Sequence, residues 1–454
     1  MLYVWFAYYT HRTDALQLIL LYSFLFVLGY QILKTSGFYF RILVIASILF
    51  RLLFLFAIPN LSQDFYRFIW DGNMLLEGFN PYLYTPDVII SQGETNMPLA
   101  QELYNGMGKL NASHFTNYPP LNQLCFALGN LFPGNSILSS VAGMRLLIIA
   151  ADIGTLYFGK KLLEALKLPS NRIFWYILNP FIIIELTGNL HFEGVMIFFL
   201  VWSLYLLRKG YWKCAAVIFA CSVSVKLIPL MFLPLFFWWF TSTSLNDKKN
   251  SQQKKISYAE PNGLSIFSGI KKLTIFYTIV GITLIAFFIP FFSMEFVNNY
   301  SKTVGLWFND FEFNASIYYI LRAIGYSITG YNEIGIIGKV LPLISVLVIL
   351  GFSVFKKNNS IPKISTSILL VFTIYLFLST TVHPWYIATL IAMSVFTNYK
   401  YPLIWGVVII LSYLSYLSIG TADKSENLWI VTLEYFVVFS VFVWEVVLKK
   451  RLPI

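Results

Sequence analysis

The chain has 454 residues, 58% of them hydrophobic and 12% charged, with a formal net charge of +11 and a mean hydropathy of +0.70. A soluble domain is roughly 25% charged, and no soluble exterior accommodates so much apolar surface, so most of this chain faces lipid. The basic residues stand in short clusters between apolar runs and form no stripe, which sets nucleic acid aside as a partner and reads as orientation in a bilayer.

A hydrocarbon core of roughly 30 Å calls for about 20 apolar residues per helix. Such runs lie at 15–33, 42–59, 139–159, 173–188, 192–208, 273–293, 334–354, 365–382, 402–420 and 428–448, with a shorter one at 385–398. The stretch 213–241 is interrupted at Lys226 and Pro229 and reads as two short legs that turn there. Irregular backbone at membrane depth survives only where protein or a water-filled cavity covers it, so this break points to a cavity. The expected fold is an all-α integral membrane bundle of about 11–13 transmembrane helices, one polytopic unit over 1–454. No removable signal peptide is expected at the N-terminus. Cys125, Cys214 and Cys221 lack metal-ligand spacing and read as small packing residues.

The basic clusters fix the sides. Lys34 and Arg41 follow the first run, and Lys160, Lys161, Lys167 and Arg172 separate the third from the fourth. Arg208, Lys209 and Lys213, the polar loop 242–272, Lys356, Lys357 and Lys363, and the final Lys449, Lys450 and Arg451 complete the set. With all of them cytoplasmic, every span count between them agrees, and 242–272 reads as a solvated cytoplasmic connector. The other side then holds an extracytoplasmic loop at 60–138, the Asn189–Gly194 turn, the Lys226 break, the loops 294–333 and 421–427 and the His383 turn. The lysine-, asparagine- and isoleucine-rich composition fits a bacterial inner membrane.

The unusual residues gather on that second side. Asp64, Arg67 and Asp71 recur at i, i+3 and i+7, so a helix over this segment presents all three on one face. Such a helix reads either as an interfacial one aiming acidic groups at one spot or as a surface helix with a local Asp–Arg pair. His191 and Glu193 sit at a turn that is either solvated or lines a cavity. A cation within an apolar stretch, as Lys226 is, marks a functional site or snorkels to the interface. His383-Pro384-Trp385-Tyr386 either lines a site or anchors an aromatic belt. Arg145 and Asp152 share a helix face and pair with each other or with neighbouring helices. No glycine-rich phosphate loop, dinucleotide fingerprint or His-Glu-x-x-His motif occurs, so an activated substrate has to arrive from the membrane itself.

The run Ser62 to Tyr82, SQDFYRFIWDGNMLLEGFNPY, resembles the first outer loop of GT-C-type glycosyltransferases, in particular the bacterial polyprenyl-phosphate-mannose-dependent mannosyltransferases. Their pattern is an Asp, then Tyr-Arg, then Trp-Asp-Gly, then Gly-x-Asn-Pro-Tyr. Tyr118-Pro119-Pro120, Lys226-Leu227-Ile228-Pro229 and His383-Pro384-Trp385-Tyr386 follow in the family's order, so the resemblance runs from about residue 42 to about residue 390.

The resemblance implies a GT-C-like bundle whose long first outer loop holds short interfacial helices. It also implies inverting transfer of a sugar, mannose first among the candidates, from a polyprenyl-phosphate donor held among membrane lipids. The acceptor is a lipid or a glycan on the extracytoplasmic face. By motif position Asp64 is the general base. Lys226 is the candidate to meet the leaving phosphate, with Arg67 and His383 beside it, and Asp71 orients Arg67 or the acceptor. Trp70, Tyr66, Trp385 and Tyr386 are candidates to stack on the sugar or the first prenyl unit, and Tyr118, His191 and Glu193 are further binding candidates. Glu193 stands where relatives often carry Asp. No cofactor is required, although Asp64 and Asp71 could hold a divalent ion. The competing classes are a lipid-linked-glycan ligase or polymerase, which would carry its large outer loop late, and a polytopic transporter, which would show internal symmetry.

Overall fold

A computed structural model describes residues 1–34, 39–93, 97–242, 263–309, 311–415, 426–450 and 452. The described residues are helical throughout, with one isolated bridge between Phe313 and Thr381 and no strand. Six helices are long and apolar enough to cross a membrane: Ala15–Lys34, Ile137–Ala165, Ile266–Phe291, Ile334–Phe355, Ile361–Leu378 and Leu428–Val447. The pair Pro180–Gly188 and Glu193–Arg208, bent by 115°, adds a broken span, and Trp212–Val225, Ile228–Ser242 and Tyr401–Leu414 are shorter apolar helices. The chain is therefore a multi-pass membrane protein. Much of the basic connector (243–262), the end of the 402–420 run (416–420), most of the 421–427 loop (421–425) and Arg451 lie outside the described residues.

The two legs expected at 213–241 are present. Trp212–Val225 stops where Lys226 turns extended (φ −145°, ψ 138°), and a 3-10 helix, Ile228–Phe236, comes next with Pro229 in its first turn. Proline has no N–H to give the helix above it, which is why the break falls there.

Ile137–Ala165 is the axis of the bundle. A reciprocal capping box between Ser136 and Ser139 starts it, and its buried face carries two ionisable residues. These pair with neighbouring helices and not with each other. Asp152 accepts from Arg51 Nε at 2.7 Å, and Arg51 also reaches the carbonyls of Ser47 and Ile177. Arg145, fully buried, donates to five carbonyls at 2.5–2.9 Å: Phe54, Leu55 and Ala57 on one side, Thr187 and Gly188 on the other. Both sets of carbonyls belong to helix ends, one after Phe40–Leu52 and one at the close of the π-turn Ile183–Gly188. Helix ends leave carbonyls without intrahelical partners, and inside lipid no water replaces those partners.

Basic residues gather at one end of the bundle. Lys160 lies over the Phe40 ring, Arg208 donates to the Ala165 carbonyl, Arg172 to that of Thr397, and Lys400 lies over Trp175. At the other end the loop 60–138 folds into the helices Asp64–Leu76, Pro86–Gln92, Ala100–Ala112 and Pro120–Asn130. The first of these does not lie on the surface as an interfacial helix. Nine of its 13 residues are buried, because Phe65, Phe68, Ile69 and Trp70 pack into the protein. Gly72 lets it approach Pro120–Asn130, since a Cβ there would sit 2.8 Å from the Phe126 carbonyl.

A short N-terminal helix, Leu2–Tyr9, was not expected; eight residues carry too little periodicity to read. It buries Phe6, and Asn60 donates from Nδ2 to the carbonyls of Phe6 and Thr10 at 2.8 and 2.9 Å.

Replacing Arg145 with Met strands five carbonyls at membrane depth, for an expected loss of about 3–5 kcal/mol. Arg145→Lys offers fewer donors than there are carbonyls and should fall between the two. Thermal unfolding in detergent micelles gives the order, and an Arg145→Met protein as stable as the parent would show that those carbonyls have other partners.

Candidate active site

A cavity of about 600 Å³ opens at the end of the bundle opposite the basic cluster. Its wall is built from the start of the 60–138 loop, the Tyr118 turn, the Lys226 break, the helix Met294–Asn309, the segment around Phe313, the His383 turn and Tyr413.

Asp64 opens its helix on the cavity wall, where the helix dipole favours a negative charge. Its backbone N–H reaches Ser62 Oγ at 3.3 Å. Burial pushes its carboxyl above the ordinary carboxylate range, while the Lys226 charge, opposed by Glu193, and hydrogen bonds from Ser62 and Asn111 pull it back. Lys226 Nζ stands 3.1 Å from Glu193 Oε1 and 4.8 Å from the centre of the Tyr118 ring. Glu193 is fully buried at the start of Glu193–Arg208 and does not line the cavity; it acts there through Lys226.

Arg67 reaches the wall with Nε and Nη1 committed and Nη2 buried without a hydrogen-bond partner. Nε meets Asp71 Oδ1 at 2.7 Å, and Nη1 donates to the carbonyls of Asn111 and His114. Asp71 also accepts from Gln123, which donates to Thr116 as well. The pair therefore ties the 111–116 segment to the motif helix, and its two charges offset each other. Asp71 and Trp70, expected to touch substrate, lie fully buried behind the wall. The end of the motif is a brace too: the Tyr82 hydroxyl donates to the Tyr118 carbonyl at 2.7 Å, and Asn299 donates to the Tyr82 carbonyl.

The His383 turn carries a column of rings to the same cavity. His191 stacks on Trp385 with centroids 3.7 Å apart, Trp385 on His383 at 4.5 Å, and His383 on Phe313 at 5.3 Å. His191 is buried beneath the column and is not part of the cavity surface, whereas His383, Trp385 and Tyr386 are. Burial, with Lys226 nearby, brings His383 down to about 3. It is therefore neutral near pH 7 and adds a ring, not a positive charge, to the site.

Tyr118, Lys226, Asp64 and the His383 turn thus meet in one cavity as the sequence suggested, while Trp70, Asp71, His191 and Glu193 support it from behind. Among the described residues no group of three or more His, Cys, Asp or Glu comes together as a metal would require. Asp71, the expected second carboxylate for a divalent ion, is spent on Arg67 and Gln123. Asn111, His114, Thr116, Phe313, Tyr413 and Arg12 also line the cavity and were not singled out from the sequence. Only Arg12 had a signal, as a lone cation on the side otherwise poor in them.

Residues 8–242, just over half of the chain, match the sequence model of a family described as alpha-(1->6)-mannopyranosyltransferase, N-terminal domain. The chain is similar to alpha-(1->6)-mannopyranosyltransferase A of Corynebacterium glutamicum, 24% identical over 188 residues, 40% of this chain and 36% of that relative. It is also similar to the protein of the same description from Mycobacterium tuberculosis, 22% identical over 185 residues, 40% of this chain and 34% of the relative. The chain thus spans about a third of the length of either relative. The family match contains Arg12, Asp64, Arg67, Tyr118, His191, Glu193 and Lys226, while the His383 turn lies beyond it.

Proposed function

The chain belongs to the alpha-(1->6)-mannopyranosyltransferase family, and we propose that it transfers a mannosyl unit from a polyprenyl-phosphate donor to a lipid or glycan acceptor, with Asp64 as general base. The observation that carries this reading is the meeting of a carboxyl with a raised pKa, a lysine and aromatic rings on the wall of one cavity. The acceptor hydroxyl oxygen attacks the anomeric carbon, and Asp64 takes the hydroxyl proton. The bond from the anomeric carbon to the phosphate oxygen breaks, and the electron pair leaves with the phosphate. The displacement is direct and inverts the anomeric centre, so no second carboxylate is needed as nucleophile. A cation of the cavity wall meets the charge that grows on the leaving phosphate, and Trp385 and Tyr386 offer faces for the sugar.

The site works on the extracytoplasmic side of a bacterial inner membrane. Supporting this, a cluster of basic residues that includes Lys160, Arg172, Arg208 and Lys400 lies at the end of the bundle opposite the cavity, in line with the bias of basic residues toward the cytoplasm. A phospholipid-like donor also suits a cavity next to exposed apolar helices, since the prenyl chain stays in lipid while only its head enters.

Membranes carrying the protein, incubated with radiolabelled polyprenyl-phosphate mannose and total lipid and glycan acceptors, are expected to transfer label. An Asp64→Asn variant of equal abundance should lose about 10²–10⁴-fold. Equal transfer by both removes Asp64 from the chemistry, and no transfer by either overturns mannose as the sugar.

The pH profile gives a second, signed test. The base works ionised, so the rate falls as pH drops through the Asp64 pKa, and this acid limb should lie above the ordinary carboxylate value of about 4. Lys226→Met removes a charge that lowers this pKa and should move the limb to higher pH. Glu193→Gln removes one that raises it and should move the limb to lower pH. Shifts in the same direction, or none, in the residual activity would mean that another group titrates.

A further inference from the structure

We propose that Arg12 is the cation that binds the donor phosphate, and that Lys226 serves mainly to set the charge of Asp64. The inference rests on the reading of the cavity as a polyprenyl-phosphate site and names the residue that recognises its anionic head.

Other arginines of the bundle are already engaged. Arg51 is paired with Asp152, Arg67 with Asp71 and Arg322 with Glu312, and Arg145 is filled by five carbonyls. Arg12 is different. It lines the cavity, forms no ion pair among the described residues, and makes one long hydrogen bond, Nη1 to the Leu61 carbonyl at 3.5 Å. Its guanidinium carbon lies 5.4 Å from the centre of the Tyr413 ring, and the Tyr413 hydroxyl is fixed by donating to Glu185 at 2.9 Å. A guanidinium resting on an aromatic face keeps its edge donors available for a planar or tetrahedral oxyanion.

Its position is also fixed. The N-terminal helix ends at Tyr9, just before Thr10–Arg12, and Asn60 holds the carbonyls of Phe6 and Thr10. Gln17 donates to the Tyr9 carbonyl and to Thr10 Oγ1. Arg12 is therefore carried on a turn clamped to the start of the loop that bears Asp64.

Charge balance assigns the role. Lys226 is neutralised by Glu193, and Arg67 by Asp71. Glu185, behind Tyr413, acts on Arg12 only at a distance, and without Arg12 the wall residues and the carboxylates paired with them sum to the single negative charge of Asp64, which repels an anionic donor. With it they balance. During transfer the phosphate goes from one negative charge toward two, and an unpaired guanidinium stabilises that increase more than a lysine already held by a carboxylate.

The test uses the purified full chain in lipid nanodiscs with two probes, a fluorescent polyprenyl phosphate and the matching polyprenol, which lacks the anion. The parent should bind the phosphate in preference to the polyprenol. Arg12→Gln should weaken binding of the phosphate by about 10-fold to 100-fold, leave polyprenol binding unchanged, and raise the donor KM without changing the acceptor KM. Arg12→Lys should recover part of the loss, and thermal unfolding of each variant reports whether the fold is intact. A parent that prefers the phosphate beside an Arg12→Gln variant that binds it equally well overturns the role of Arg12 and leaves the proposed function standing. A parent that binds both probes alike overturns the polyprenyl-phosphate site itself, and the role of Arg12 with it.

Discussion

A single guanidinium satisfies the backbone at two breaks in the bundle, and the site depends on it. Arg145 takes up the carbonyls left open after Phe40–Leu52 and those at the end of Ile183–Gly188. In lipid neither break could persist without an internal donor, because an unsatisfied carbonyl there costs several kcal/mol. The first break delivers the chain to Asn60 and, four residues on, to Asp64. The second bends the chain through 115° and delivers His191 and Glu193. One side chain at the axis thus fixes the distance between the carboxylate on the cavity wall and the carboxylate that holds Lys226.

That geometry controls charge. Asp64 sits where burial favours its protonated form and Lys226 its ionised form, with Glu193 moderating the lysine. A base needs a pKa near the working pH to be both ionised and basic, and burial beside an attenuated cation moves the Asp64 carboxyl upward in that direction. The ring column supports the same balance. His383 stays neutral because it is packed between Trp385 and Phe313 near Lys226, so this part of the wall adds shape without adding charge.

Much of this was legible in the sequence, for physical reasons that differ from residue to residue. The long spans follow from hydropathy alone. The break at Lys226 and Pro229 follows from a cation and a missing N–H in an apolar run. The motif around Asp64 was recognisable, yet its division of labour was not. Spacing puts Asp64, Arg67 and Asp71 on one face, but only the fold shows that Arg67 and Asp71 neutralise each other and brace the 111–116 segment, while Asp64 faces the cavity. The burial of that helix was hidden because its polar face meets other loop helices, a tertiary fact that periodicity does not encode. Arg12 was missed because the short helix before it has no periodic signal, and its placement depends on Asn60, far along the chain.

The two halves of the chain divide the cavity in a way that bears on the proposed reaction. Arg12, Asp64, Arg67 and Lys226 all come from the half that carries the family match, and they are the formally charged side chains lining the cavity among the described residues. The second half contributes Thr303, Phe311, Phe313, Tyr375, the His383 turn and Tyr413, which are polar or aromatic but uncharged. Donors that differ only in their sugar carry the same phosphate and the same prenyl chain, so they present the same demand to the charged half. What distinguishes one sugar from another is the direction of its hydroxyls, and these meet rings and hydrogen-bonding groups. Keeping the charge chemistry while varying the uncharged wall is therefore sufficient to change the sugar without changing the mechanism; in this chain the charged residues all lie before 242, while the uncharged wall is shared between the second half and Ser62, Gln63, Asn111, Thr116, Asn117 and Tyr118 of the first.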